Sequence, residues 1–150
     1  MKLALAQLSL DRGAVTANRE RALTRIETAA DRGADLVVLP ELFTVGYFAF
    51  DSYARSAEPL DGPTLSELAA AAATHDVAVL AGSIVEDLGA SSARGFETPA
   101  PEGYANTAVF LDREGTRRSV YRKRHLFGYE SAEQDLLTPG ESLPTVEFAG

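Results

Sequence analysis

Four consecutive apolar residues, Leu36-Val37-Val38-Leu39, lie between Asp35 and Pro40, and no other pattern restricts the fold of this chain as much. An uninterrupted run this short suits a buried strand rather than a one-sided helix, and the proline stops it by withdrawing a backbone donor. A strand without polar alternation is expected to be covered on both faces, which calls for helices packed against a largely parallel sheet. The flanking segments agree. Residues 3–8 form a second short apolar run, broken by Gln7. Ala22, Leu23, Ile26, Ala29 and Ala30 recur at helical spacing over residues 18–33, and Gly33 stands where a helix C-terminus favours glycine. Gly62-Pro63 introduces an alanine-rich helix over residues 64–74, with His75 as its C-terminal capping residue, and residues 77–82 give another buried strand. Strand, helix and strand in repeated order predict the α/β class, and 150 residues suit one domain.

Farther along, the Gly, Ser and Pro content of residues 86–103 predicts a long, polar, mobile loop. Residues 106–111 and 117–122, joined by Asp112-Arg113-Glu114-Gly115, read as a hairpin. A last strand is expected to begin near Thr145 and run to Gly150.

Composition removes several function classes. With 14 Lys and Arg against 22 Asp and Glu the chain carries a formal charge of −8, the opposite of what nucleic acid attracts. Having no cysteine, these residues hold no disulfide, no thiolate zinc site and no thiol nucleophile. Two histidines and no calcium-loop or His-Glu-x-x-His pattern argue against a metal site, and no Gly-x-Ser-x-Gly elbow is present. No segment approaches the roughly 18 apolar residues of a membrane span, nor does the N-terminus read as a secretory signal, so a cytoplasmic location is expected.

Two positions stand out chemically. Glu41 follows the 36–39 run and Pro40, at the end of a strand where open α/β sheets place ligands. It reads either as a partly desolvated general base or as a carboxylate that caps the loop. Beyond it, Tyr47 and Phe48 flank a turn and read either as pocket wall or as core. The second position lies in the basic cluster Arg117-Arg118-Ser119-Val120-Tyr121-Arg122-Lys123-Arg124-His125. The cluster is open to three readings: a charged strand edge, a phosphate contact, or a setting for one lysine. Lys2 and Lys123 are the only lysines, so a lysine at 123 suggests a compact ammonium whose proton affinity can be tuned, which arginine does not supply.

Taken together, Asp35-Leu36-Val37-Val38-Leu39-Pro40-Glu41-Leu42-Phe43, Tyr121-Arg122-Lys123-Arg124-His125-Leu126, and Glu133 followed by Thr138-Pro139-Gly140 resemble the nitrilase or carbon–nitrogen hydrolase superfamily. Tyr104-Ala105-Asn106-Thr107-Ala108 and the Gly62-Pro63 helix start add to the match, which runs along essentially the whole chain. The resemblance implies part of a four-layer α-β-β-α sandwich. It also implies hydrolysis of non-peptide carbon–nitrogen bonds in small amides, with nitriles and carbamoyl compounds less favoured, by a Glu-Lys-Cys triad without metal or organic cofactor. On this basis Glu41 matches the general base, Lys123 the lysine that stabilises the tetrahedral intermediate, and Glu133 a second glutamate that orients the lysine and the substrate. Tyr47, Phe48 and His125 are the candidate pocket residues.

The departure is the missing cysteine, which in the family follows a strand after the Pro-Gly motif. Residues 1–150 are therefore expected to be the N-terminal part of a single hydrolase domain, truncated on its C-terminal side and homo-oligomeric at full length. The alternative is a non-catalytic, shortened relative that acts as a binding or assembly module.

Overall fold

The computed structural model describes residues 1–128 and 131–148. One five-stranded sheet organises them: β1 (Leu3–Leu5), β2 (Leu36–Val38), β3 (Ala78–Asp87), β4 (Tyr104–Leu111) and β5 (Arg117–Arg122), in that spatial order. β1, β2 and β3 are parallel, with Leu3 opposite Leu36 and Val37 opposite Val79, whereas β3, β4 and β5 are antiparallel. The order follows from the connections. Helix α1 (Val15–Asp31) joins β1 to β2, and α3 (Pro63–His75) precedes β3, which gives enough chain for parallel pairing; the five residues between β4 and β5 permit only a hairpin.

Helix α1 buries Asn18, Ala22 and Ile26, four residues apart, and α3 buries Leu65, Leu68 and Ala72. These faces meet Val37, Val79, Ala81, Ile84, Val109 and Leu111 in the main core. Gly62 is the N-cap of α3 with Pro63 inside its first turn, and Asp76 closes the helix in the left-handed conformation after His75. A smaller cluster, Leu42, Val45, Ala49, Tyr53, Val85 and Leu137, packs beyond the end of β2. It includes the short helix α2 (Tyr53–Ser56) and lies where the candidate residues gather.

The α/β class is as expected, and four details differ. β2 is flanked by strands on both sides, yet only Val37 is fully buried; Leu36 and Val38 on the other face are half-buried, and Leu3 and Leu5 beside them are exposed. The sheet is thus closed by helices on one face, and the apolar run covers both faces only in part. Residues 86–103 are not wholly loop, because α4 (Leu88–Ala93) occupies their first half. The Asp87 carboxylate accepts from the Ala90 N–H at 2.8 Å, and the buried Ser91 hydroxyl accepts from the Leu60 N–H at 3.1 Å. β1 is shorter than the expected 3–8 run. Finally, residues 145–148 form no strand; Phe148 instead packs edge-on against Phe110 with ring centroids 5.4 Å apart, and Gly150 lies outside the described residues.

Helix α5 (Ala132–Leu136) completes the secondary structure. Among the described residues no helix is long and apolar enough to cross a membrane.

Candidate functional site

Glu41 sits on a sharp turn after β2 that is clamped to a bulge in β3. The Leu39 N–H donates to the Leu80 carbonyl, the Ser83 N–H to the Pro40 carbonyl, and the Phe43 N–H to the Ser83 carbonyl. Between them the Leu42 N–H donates to the Ser83 hydroxyl at 2.8 Å, with Leu42 itself at φ +49°. A leucine in the left-handed region is strained, and it persists because this set of bonds determines the turn. Gly82 makes the clamp possible, since a Cβ there would stand 1.9 Å from the Leu39 carbonyl oxygen and 2.4 Å from that of Pro40. Gly82→Ala is therefore expected to destabilise the fold by at least ~2 kcal/mol, because backbone rather than a side chain must move. Urea unfolding measures this, and an unchanged midpoint would refute the close approach.

Lys123 follows the last residue of β5. Its N–H donates to the Asn106 carbonyl at 2.9 Å and its own carbonyl accepts from the Gly140 N–H at 3.0 Å. The chain after α5 is thereby drawn against β5, and a Cβ at Gly140 would meet the Arg122 carbonyl oxygen at 2.2 Å. That contact is the physical reason for glycine in Thr138-Pro139-Gly140. Glu133 stands in the first turn of α5, behind the N-cap Ser131.

These backbones bring three side chains together. Lys123 Nζ lies 3.0 Å from Glu41 Oε1 and 3.0 Å from Glu133 Oε1, with Glu133 Oε2 at 3.3 Å. The two carboxylates are in different surroundings. Glu133 is buried, its side chain 4% exposed, and also accepts from the Phe127 N–H. Glu41 is 42% exposed and open to solvent. Glu133 thus holds the ammonium from within the fold, and Glu41 is the carboxylate that solvent or a bound molecule can reach. Burial pulls the Lys123 ammonium down, but the bonds to Glu41 and Glu133 outweigh it, so its pKa stands above the ordinary lysine value. An ammonium between two anions stays charged at neutral pH; one N–H shared by the two oxygens of Glu133 and one given to Glu41 leave the third of its donors for an incoming oxygen.

Of the candidate pocket residues, Tyr47 is near enough to feel the charges of Lys123, Glu41 and Glu133, Phe48 packs on Tyr47, and His125 is exposed. Tyr47 and Phe48 meet edge-to-face at 4.5 Å, and the aromatic series continues through Phe50 to Tyr53. Partial burial raises the Tyr47 phenol, with Glu41 and Glu133 adding to the shift and Lys123 opposing it. Tyr53 is pushed up more strongly, again first by burial. Both phenols therefore stay neutral. A cleft of about 340 Å³ lies elsewhere, between residues 96–99 and β5, and Glu41, Lys123 and Glu133 do not line it.

Three arginines of the basic cluster, which lies on the edge strand β5 and the residues after it, have partners within the fold. Arg117 donates to the Leu60 carbonyl and lies over the Phe96 ring, Arg118 pairs with Asp112, and Arg122 pairs with buried Glu86. Sequence reading did not assign Glu86, Ser83 or the side chain of Asn106. Each is a polar residue within an otherwise apolar strand segment, and that was the available signal. Among the described residues no group of three or more His, Cys, Asp or Glu is arranged to hold a metal ion.

The family model described as carbon–nitrogen hydrolase matches residues 2–150. An (R)-stereoselective amidase from Pseudomonas sp. is 33% identical over 150 residues, covering all of this chain and 48% of the relative. The crystal structure of Saccharomyces cerevisiae Nit3, a member of branch 10 of the nitrilase superfamily, superposes with a TM-score of 0.75 at 30% identity, covering 95% of this chain and 49% of that one. A mutant of the amidase from Nesterenkonia sp. AN1, described as showing Michael addition of acrylamide at the active site cysteine, gives a TM-score of 0.78 at 28% identity and covers 100% of this chain and 54% of its own. The chain spans about half or less of the length of the curated relatives it most resembles.

Proposed function

Because this chain belongs to the carbon–nitrogen hydrolase family, we propose that Glu41, Lys123 and Glu133 are the base-and-ammonium part of a site that hydrolyses small non-peptide amides, completed by a cysteine from outside residues 1–150. The observation that carries the reading is one ammonium held 3.0 Å from each of two carboxylates, one buried and one solvent-facing. Amidases among the relatives support an amide over a nitrile, and the cysteine named in the Nesterenkonia amidase supports the nucleophile.

The reaction follows from the charges. Glu41 takes the thiol proton, and the thiolate attacks the amide carbonyl carbon to give a tetrahedral oxyanion. The free N–H of Lys123 donates to that oxygen, and the buried Glu133 keeps the ammonium in place while the charge develops. Glu41 returns its proton to the nitrogen, the carbon–nitrogen bond breaks, and ammonia leaves a thioester. Water then gives its proton to Glu41 and attacks the thioester, so that the acid and the thiol are released. Tyr47 and Phe48 form an apolar rim on this side, and the remaining walls come from residues beyond the chain. In this reading residues 1–150 are the N-terminal part of one hydrolase domain.

Ammonia release from small amides, assayed on the protein at its native length, tests the proposal. Glu41→Gln is expected to lower kcat/KM at least ~100-fold, the usual scale for a positioned base. Unchanged kcat/KM would refute the assignment. The second reading, a binding or assembly module, is favoured by exposed Leu3 and Leu5 on the sheet edge. It predicts an intact mass of 16.0 kDa with no alkylatable thiol.

A further inference from the structure

We infer that Asn106 is the positioning residue of this site: it fixes which oxygen of Glu41 carries the proton and joins the base to the backbone of the ammonium-bearing residue. The inference rests on the hydrolytic reading above. Asn106 lies on β4 opposite Val85 and is 3% exposed. Its side-chain Nδ2 donates to Glu41 Oε1 at 2.7 Å, and its main-chain carbonyl accepts from the Lys123 N–H at 2.9 Å. Glu41 and Lys123 are 82 residues apart in sequence, so their meeting depends on the register of separate strands. Asn106 touches both, one through its side chain and one through its backbone.

The chemistry of the amide gives the contact a direction. Turned over, the Asn106 side chain would set its carbonyl oxygen against a carboxylate, so only the donating orientation is favourable. Glu41 Oε1 then receives two donors, Asn106 Nδ2 and Lys123 Nζ, which fill its two lone pairs. Among the described residues Oε2 accepts no hydrogen bond, which makes it the oxygen that takes up and returns the proton. An amide is suited to this task because it holds the carboxylate without offering a proton that would neutralise it. With Lys123 as its only anchor, Glu41 could pivot about one bond, and a displacement of about 1 Å at a reacting group can cost on the order of 100-fold in rate.

The test is steady-state ammonia release by the native-length protein and its Asn106→Leu variant, which keeps the branched shape and removes the donor. We expect kcat to fall between ~10- and ~100-fold while KM changes less than threefold and the melting temperature stays within a few degrees. Asn106→Ser, which fits any space that asparagine fills, takes its place if the leucine variant does not fold, with the same expectation. Unchanged kcat, or a loss of kcat that accompanies a collapse of melting temperature in both variants, overturns the inference. Its failure is separable from that of the hydrolytic reading: if Glu41→Gln leaves activity intact, or the unsubstituted protein releases no ammonia, the reading beneath it falls instead.

Discussion

Lys123→Ala is expected to lower kcat/KM for a small amide at least ~100-fold, and Lys123→Arg to restore little of it. The alanine variant removes the donor to the developing oxyanion and at the same time leaves buried Glu133, among the described residues, with only the Phe127 N–H as a partner. A buried carboxylate deprived of its cation carries a desolvation cost, so activity and stability should fall together in this variant. Arginine keeps the charge, but its planar, longer fork does not fit between two carboxylate oxygens each 3.0 Å from a single nitrogen. The pH dependence has a definite sign. Because the Lys123 pKa is raised in the fold, its contribution is complete below the ordinary lysine value and fades only as the pH climbs through the raised one. The pH profile of amide hydrolysis near neutrality should therefore not report this group. Retention of kcat/KM within threefold in Lys123→Ala would refute the assignment, as would full activity in Lys123→Arg.

What the sequence revealed and what it hid have physical causes. Glu41 and Lys123 were legible because each breaks a local rule: a carboxylate directly after an apolar strand, and a lysine among arginines. The order of strands and long helices was legible because periodicity is local, as in Ala22 and Ile26 on α1 or Leu65, Leu68 and Ala72 on α3. Asn106 reads from the sequence only as part of a strand opening, since its contacts need the pairing of β4 with β5 and the folding back of the Glu41 turn. Helix α4 was hidden because a run containing Gly89 and two serines resembles loop, and the cap at Asp87 outweighs that composition. The open face of β2 was missed for a related reason: an unbroken apolar run reports that both faces favour burial, and only tertiary structure says what meets them.

The largest stability effect is expected at the residue just before Lys123. Arg122 donates through Nε to Glu86 Oε2 at 2.7 Å and through a terminal nitrogen to Oε1 at 2.9 Å, and the Thr107 hydroxyl donates to the same carboxylate at 2.7 Å. Glu86 is completely buried and the Arg122 side chain is 12% exposed. Two ions removed from water in this way gain little over an apolar pair, but removing one of them leaves the other uncompensated. Arg122→Ala should therefore cost ~3–5 kcal/mol, with the neutral Thr107 hydroxyl the one partner left among the described residues to face the Glu86 charge. Glu86→Gln combined with Arg122→Met should recover most of that loss, because it removes both charges and keeps much of the volume. Urea or thermal unfolding distinguishes these outcomes, and a loss below ~1 kcal/mol in Arg122→Ala would show that the pair holds nothing together. Since Glu86 lies on β3 and Arg122 on β5, the pair spans β4 from beneath and fixes the strand end from which Lys123 projects. The doubly substituted protein should consequently fold well and still lose activity, because stability returns without the bidentate bond that sets the register of Lys123 against Glu41.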